Sequence, residues 1–149
     1  MPVGLGSGIC GVIAAKQAAG VDTEIVGVVA ANANAYQLSF AEGRPIGTNS
    51  ADTLADGLAV RNPSSDALSL IREAVGEVVA VTDDEIMKAI GYYFSDTHNV
   101  AEGAGAAPLA ALINDEAAMA GKRVGLVLTG GNINHALFSR ALAMSQNTG

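Results

Sequence analysis

From residue 4 to residue 11 the chain reads Gly-Leu-Gly-Ser-Gly-Ile-Cys-Gly. Glycine at this density lets backbone N–H groups approach an anion, and a helix that follows adds its unpaired first-turn donors. Gly6-Ser7-Gly8-Ile9-Cys10-Gly11 matches the spacing G-x-G-x-x-G, which sets a pyrophosphate on a helix N-terminus in dinucleotide-binding units. Such units place a strand before the loop and a ribose-binding acid at the end of the next strand. Here only Met1-Pro2-Val3 precedes the loop, and the next apolar run ends in Ala30-Ala31-Asn32. A nucleotide-triphosphate loop needs Gly-Lys followed by Ser or Thr, whereas Lys16 sits in Ala-Ala-Lys-Gln. What remains is a cup of backbone donors for a single phosphate, weighed against a tight turn whose glycines serve helix packing.

Three further stretches carry small or polar residues that could enclose a flat ligand. Thr129-Gly130-Gly131-Asn132 follows the apolar run RVGLVL, at the carboxyl end where ligands bind in open α/β sheets. Glu102 to Pro108 reads as a small-residue loop with one carboxylate, and Asp52 to Gly57 as another polar loop. Weaker candidates are Ser95, Asp96 and His98, which have the residue types of a hydrolytic triad but crowd into one short stretch. Cys10, near a helix start, is read as a packing residue rather than a reactive thiol, and His135 as a surface residue.

These loops need a frame. Glu24 to Ala30 (EIVGVVA), Glu77 to Thr82 (EVVAVT) and Arg123 to Leu128 (RVGLVL) are nearly continuous apolar runs, as buried parallel strands require. Helices are expected over Ile9 to Ala19, Ala33 to Glu42, Ser65 to Ala74, from the capping box Thr82-Asp83-Asp84-Glu85 onward, Pro108 to Ala120, and Asn134 to Met144. Gly43 to Ala51 reads as a surface loop. Alternation of strand and helix predicts one α/β domain over residues 1–149, a mostly parallel sheet with helices on both faces. Three strands make a thin sheet, and Met1-Pro2-Val3 reads as the end of a strand whose body lies outside this chain.

The chain has 149 residues, 50% of them apolar and 4% aromatic, enough for a core of Ala, Val, Leu and Ile. Fifteen acidic against eight basic residues leave a formal charge of −7, which disfavours nucleic acid and anionic membrane surfaces as partners. One cysteine forms no internal disulfide. No apolar run approaches the roughly 18 residues of a membrane span, and no secretory leader is evident, so a cytoplasmic location is expected.

PVGLGSGICG, TLADGLAV, EVVAVTDDEIMKAI, EGAGAAPLAAL and VGLVLTGGNIN occur in that order across nearly the whole chain. Together they resemble threonine dehydratase (threonine/serine ammonia-lyase) and its relatives among the fold-type II, tryptophan synthase β-like, pyridoxal-phosphate enzymes. The resemblance implies the carboxyl-terminal half of an enzyme about twice this length, with a fold like the large cofactor domain and incomplete without an amino-terminal half. It implies pyridoxal 5'-phosphate as cofactor, its phosphate cradled by the backbone at Gly4, Leu5, Gly6 and Ser7. Relatives often carry four glycines there, and Leu5 and Ser7 depart from that pattern. Thr129 corresponds to the residue facing the pyridine nitrogen, where a neutral hydroxyl suits elimination of a β-hydroxyl; the alternative is a helix-capping threonine. Glu102 corresponds to an acidic residue near the cofactor ring, against the alternative of a solvated loop carboxylate.

The same resemblance implies what is absent. The Schiff-base lysine of these enzymes lies in a stretch ahead of everything seen here, and Lys16, Lys88 and Lys122 do not fit it. A cation-binding acid of many relatives corresponds to Val29, so no metal ligand is assigned. The expected activity is dehydration and deamination of threonine or serine, a small amino-acid substrate, to a 2-oxo acid and ammonia. It would belong to a larger or two-chain enzyme; the alternative is a non-catalytic half that binds a phosphate ligand or a partner. The partner is expected to be the complementary half or further copies of the chain.

Overall fold

The computed structural model describes residues 1–145. Two β-branched runs form a parallel pair: Val26–Ala30 (β1) and Glu77–Val81 (β2), with Val26 opposite Glu77 and Ala30 opposite Val81. Residues 1–3 lie beside β1 on its other edge. Pro2 bridges Val28 in parallel, the Val3 N–H donates to the Val28 carbonyl at 2.8 Å, and the Val28 N–H donates to the Met1 carbonyl at 2.9 Å. This strand-like end puts the glycine loop directly at the carboxyl edge of the sheet.

Helices cover both faces, as the alternating pattern requires. Ser7–Ala19 (α1), Ala35–Glu42 (α2) and Ser65–Ala74 (α3) bury Ile9, Ile13, Tyr36, Leu68 and Ile71 against Val3, Val29 and Val78 on one face. On the other, Asp83–Thr97 (α4) and Gly103–Asn114 (α5) pack Ile86, Met87, Ala89 and Ile90 with Ala104, Ala106, Ala107 and Ala110 against Val28, Ala30 and Val81. The short helix Glu116–Met119 (α6) follows, and His135–Ser145 (α7) packs on α4. The capping box forms as expected: Thr82 Oγ1 accepts the Glu85 N–H at 3.3 Å and Glu85 Oε2 accepts the Thr82 N–H at 2.7 Å.

Four expectations are corrected. Arg123 to Leu128 is not a strand; a groove of about 620 Å³ separates Lys122–Leu126 from Val26, Val28 and Val79, so its backbone has no ladder to join. The Glu102–Pro108 stretch is not a loop but the start of α5, which carries Pro108 inside it. Residues 103–108 are all buried, so tertiary packing of small side chains sustains a helix that glycine and proline alone would discourage. Ser7 and Gly8, expected in the loop, already belong to the first turn of α1, and the expected helix at Ala33 begins instead as a 3-10 turn over Ala31–Ala33 before α2.

Candidate functional site

The glycine loop ends on a left-handed residue. Gly6, the N-cap of α1, has φ 101° and ψ −9°, a conformation side chains rarely adopt. A Cβ there would also lie 2.6 Å from Ala67 Cβ, so Gly6 is fixed by both strain and space. The first backbone bond of the helix is from the Cys10 N–H to the Gly6 carbonyl, at 3.0 Å. The N–H groups of Ser7, Gly8 and Ile9 therefore precede the hydrogen-bond ladder, the donor set that an anion uses at a helix start. Leu5, 66% exposed, stands out of the loop, and Ser7 is exposed too. The two departures from an all-glycine loop thus leave the backbone donors in place, and the loop fits a phosphate.

The polar loop after the surface segment is held from below. Asp83, the first residue of α4, accepts the Thr53 hydroxyl at 2.5 Å on one oxygen and the Leu54 N–H at 3.1 Å on the other. Thr53 Oγ1 in turn accepts the Ala55 N–H at 3.2 Å. This clamp sets Gly57, whose carbonyl oxygen lies against the Gly4 Cα so closely that a Cβ on Gly4 would collide with it. On its other side a Cβ on Gly57 would come within 2.9 Å of Ala104 Cβ. Gly57 therefore joins the phosphate loop to the start of α5.

Glu102 is the N-cap of α5, yet its carboxylate makes no cap bond. It reaches the Thr129–Asn132 loop instead: Oε2 accepts the Asn132 N–H at 3.0 Å, and the Glu102 N–H donates to the Gly130 carbonyl at 2.9 Å. A Cβ on Gly130 would lie 2.7 Å from Glu102 Oε1, so glycine is what admits the carboxylate. Glu102 is half-buried and its carboxylate is bonded to the Thr129–Asn132 loop. Thr129 is exposed and does not cap α7; Asn134 does, its Oδ1 accepting the Leu137 N–H at 2.9 Å.

Beside these loops lies a cleft of about 340 Å³ whose lining includes Leu54, Asp56, Gly57, Glu102, Asn132 and Asn134. Its charged lining residues are the carboxylates Asp56 and Glu102, so an anionic group there depends on backbone donors. Gly4, Leu5, Gly6, Ser7 and Thr129 stand outside that lining, joined to it through Gly57 and Gly130. None of the three lysines lines it either.

The weaker candidates separate. Ser95 and Asp96 lie in α4 rather than a loop; Ser95 donates to Asp96 at 2.7 Å, while the His98 ring contacts the Phe94 carbonyl at 3.2 Å, so no triad forms. Cys10 is half-buried, and burial pushes its thiol up, away from a reactive thiolate. His135 is exposed. Among the described residues no group of His, Cys, Asp or Glu could hold a metal ion, and no helix is long and apolar enough to cross a membrane.

Sequence reasoning missed two residues. Asp83 was legible only as part of a capping box, and Tyr36 only as a helical apolar position. The Tyr36 hydroxyl donates to the Leu5 carbonyl at 2.7 Å and accepts the Ser64 N–H at 3.1 Å, tying the phosphate loop to the start of α3.

Residues 1–130 match the family model described as pyridoxal-phosphate dependent enzyme. The chain is 36% identical over 142 residues to an L-threonine ammonia-lyase of Thermotoga maritima, an alignment covering 95% of this chain and 35% of that protein. Among solved structures, the processed form of threonine deaminase isoform 2 from Solanum lycopersicum superposes with a TM-score of 0.86 at 27% identity, covering 97% of this chain and 43% of that one. A fungal L-serine ammonia-lyase from Rhizomucor miehei superposes at 0.83 with 25% identity, covering 99% and 48%. The chain thus spans between a third and a half of the length of these relatives. With the family's motifs in order, its fold matched over nearly all of its length, and the phosphate loop, Glu102 and the Thr129 loop gathered at one end of the sheet, the chain belongs to the pyridoxal-phosphate dependent enzymes of fold-type II.

Proposed function

We propose that this chain supplies the phosphate cup and the pyridine-nitrogen contact of an enzyme that converts threonine or serine to a 2-oxo acid and ammonia. The observation that carries this reading is the junction through Gly57, which brings the donor-rich start of α1 against the end of α5 that bears Glu102. Similarity to threonine and serine ammonia-lyases supports the substrate class.

Pyridoxal phosphate, when bound, supplies the electron-withdrawing ring that makes an amino acid's α-proton labile. The chain's own residues have simpler tasks. Backbone N–H groups at Gly4, Leu5, Gly6 and Ser7 would hold the cofactor's phosphate, aided by the positive end of α1. The Thr129 hydroxyl would donate to the ring nitrogen and, being neutral, would leave that nitrogen unprotonated. Glu102 orients the Thr129–Asn132 loop through the Asn132 N–H. The lysine that carries the cofactor comes from a complementary polypeptide segment in this reading.

The test compares this chain alone with the chain paired with the amino-terminal half of an L-threonine ammonia-lyase. Cofactor absorbance, borohydride reduction with peptide mapping, and 2-oxo acid release from L-threonine and L-serine are measured on both. Turnover and a labelled partner lysine in the pair alone are expected. A cofactor-loaded pair without turnover favours the non-catalytic, ligand-binding reading. Labelling of Lys16, Lys88 or Lys122 in the isolated chain, with 2-oxo acid release, overturns the placement of the lysine.

A further inference from the structure

Tyr36 lies on α2, 31 residues after Leu5, and is 1% exposed. Its hydroxyl is bonded in both senses: it donates to the Leu5 carbonyl and accepts the Ser64 N–H. In a trans peptide the C=O and the following N–H point in opposite directions. Holding the Leu5 carbonyl inward at 2.7 Å therefore turns the Gly6 N–H outward, to the side on which Leu5 and Ser7 are exposed. Gly6 itself rests on the same hydroxyl, since a Cβ there would lie 3.1 Å from the Tyr36 oxygen. No other side chain among the described residues bonds the backbone of residues 4–7.

Resting on the reading of residues 4–7 as a phosphate cup, we propose that Tyr36 is the positioning residue of that cup: its buried hydroxyl sets the Leu5–Gly6 peptide so that the Gly6 N–H faces the anion. Ser64 makes the device stiff. The same hydroxyl is anchored by the N-cap residue of α3, so the loop cannot swing without breaking a bond at a second helix. Burial pushes the phenol up, with the Ser64 N–H partly opposing and Cys10 adding, so the O–H remains a donor through neutral pH.

The experiment follows backbone amides of the 15N-labelled chain while inorganic phosphate, pyridoxal phosphate or phosphate-free pyridoxal is added. Three proteins are compared: wild type, Tyr36→Phe, and Ile71→Val, a control in the same buried cluster with no hydrogen bond to the loop. Saturable shifts at Gly6, Ser7 and Gly8 are expected in wild type and Ile71→Val. Tyr36→Phe is expected to move the Gly6 amide before any ligand is added and to weaken phosphate binding about ten-fold, as loss of one bond that orients a charge-binding donor implies. Pyridoxal binding should be unchanged, which a general loss of structure would not leave so. Equal phosphate affinity in Tyr36→Phe overturns the role of Tyr36 alone. Wild-type amides that respond to neither phosphate nor pyridoxal phosphate overturn the cup itself. If Tyr36→Phe does not fold, 3-fluorotyrosine incorporation, which strengthens phenol donation without changing shape, must shift the Gly6 amide; an unmoved resonance overturns the proposal.

Discussion

Thr129 and Glu102, both placed at the cofactor in the proposed function, are held by different means, and substitution should separate them. Glu102 is bonded into the loop it serves, so its loss leaves the Asn132 N–H unpaired and disturbs the whole Thr129–Asn132 segment. Thr129 is exposed and makes no hydrogen bond among the described residues, so its hydroxyl is available to a ligand. In the completed enzyme, Thr129→Ala is expected to weaken cofactor binding by about 1 kcal/mol, the usual net worth of one hydrogen bond, and to reduce turnover by more. Thr129→Ser should restore both. Titration of cofactor absorbance and steady-state assay measure the two effects; turnover and spectrum unchanged in Thr129→Ala would sink the assignment. The motifs around both residues single them out in the sequence. Tyr36 is not singled out, because its partner lies far away in the chain and nothing local distinguishes a tyrosine that packs from one that also orients a peptide.

At the scale of elements, α4 does two jobs from its first turn. Glu85 closes the capping box while Asp83 clamps Thr53 and Leu54, so the helix start and the cleft wall share one support. Removing the clamp with Asp83→Ala strands the Leu54 N–H and the Thr53 hydroxyl, at a cost of about 1–3 kcal/mol. Thermal unfolding should show that loss, and faster amide exchange should be confined to residues 53–57. Gly4→Ala is expected to be costlier for the loop, because its Cβ meets the rigid Gly57 carbonyl rather than a flexible side chain. The capping box gives a pH dependence with a definite sign. Burial alone would raise Glu85, but hydrogen bonds from the Thr82 backbone, the Thr82 hydroxyl and Asn114, with Lys88 nearby, outweigh it and hold the carboxyl below its ordinary 4.5. A lowered folded value means that the ionised Glu85 stabilises the fold fully above the ordinary carboxylate range, and that this contribution fades as pH falls through the folded value. Glu85→Gln keeps the bond geometry without the charge, so the gap in melting temperature between it and wild type should narrow as pH is lowered from neutral through the ordinary carboxylate value of 4.5 and on through the lowered folded one. A gap that stays constant across that range would refute the sign.

At the scale of the whole molecule, what the sequence left illegible is what depends on distant partners. β1, β2 and the capping box carry their own local signals, and each formed as expected. The start of α5 does not: Gly103 to Pro108 is helical because its small side chains are buried between α4 and the sheet, a fact no window of sequence contains. Arg123 to Leu128 has the composition of a buried strand and, in the fold, no neighbour to pair with. Its Val124 and Val127 are 43% and 39% exposed, and its amino-terminal part forms one wall of the groove of about 620 Å³, opposite Val26, Val28 and Val79. An apolar segment without backbone hydrogen bonds among the described residues, set across a groove from β1 and β2, is a template for another strand. We therefore expect the chain to associate, with a complementary segment or with its own copies. Sedimentation velocity across micromolar concentrations should show species heavier than one chain, and a charge placed in the segment, Val127→Lys, should shift the distribution back towards the monomer. A compact monomer at every concentration, with Arg123 to Leu128 exchanging its amides freely, would contradict this expectation and leave the groove without an occupant.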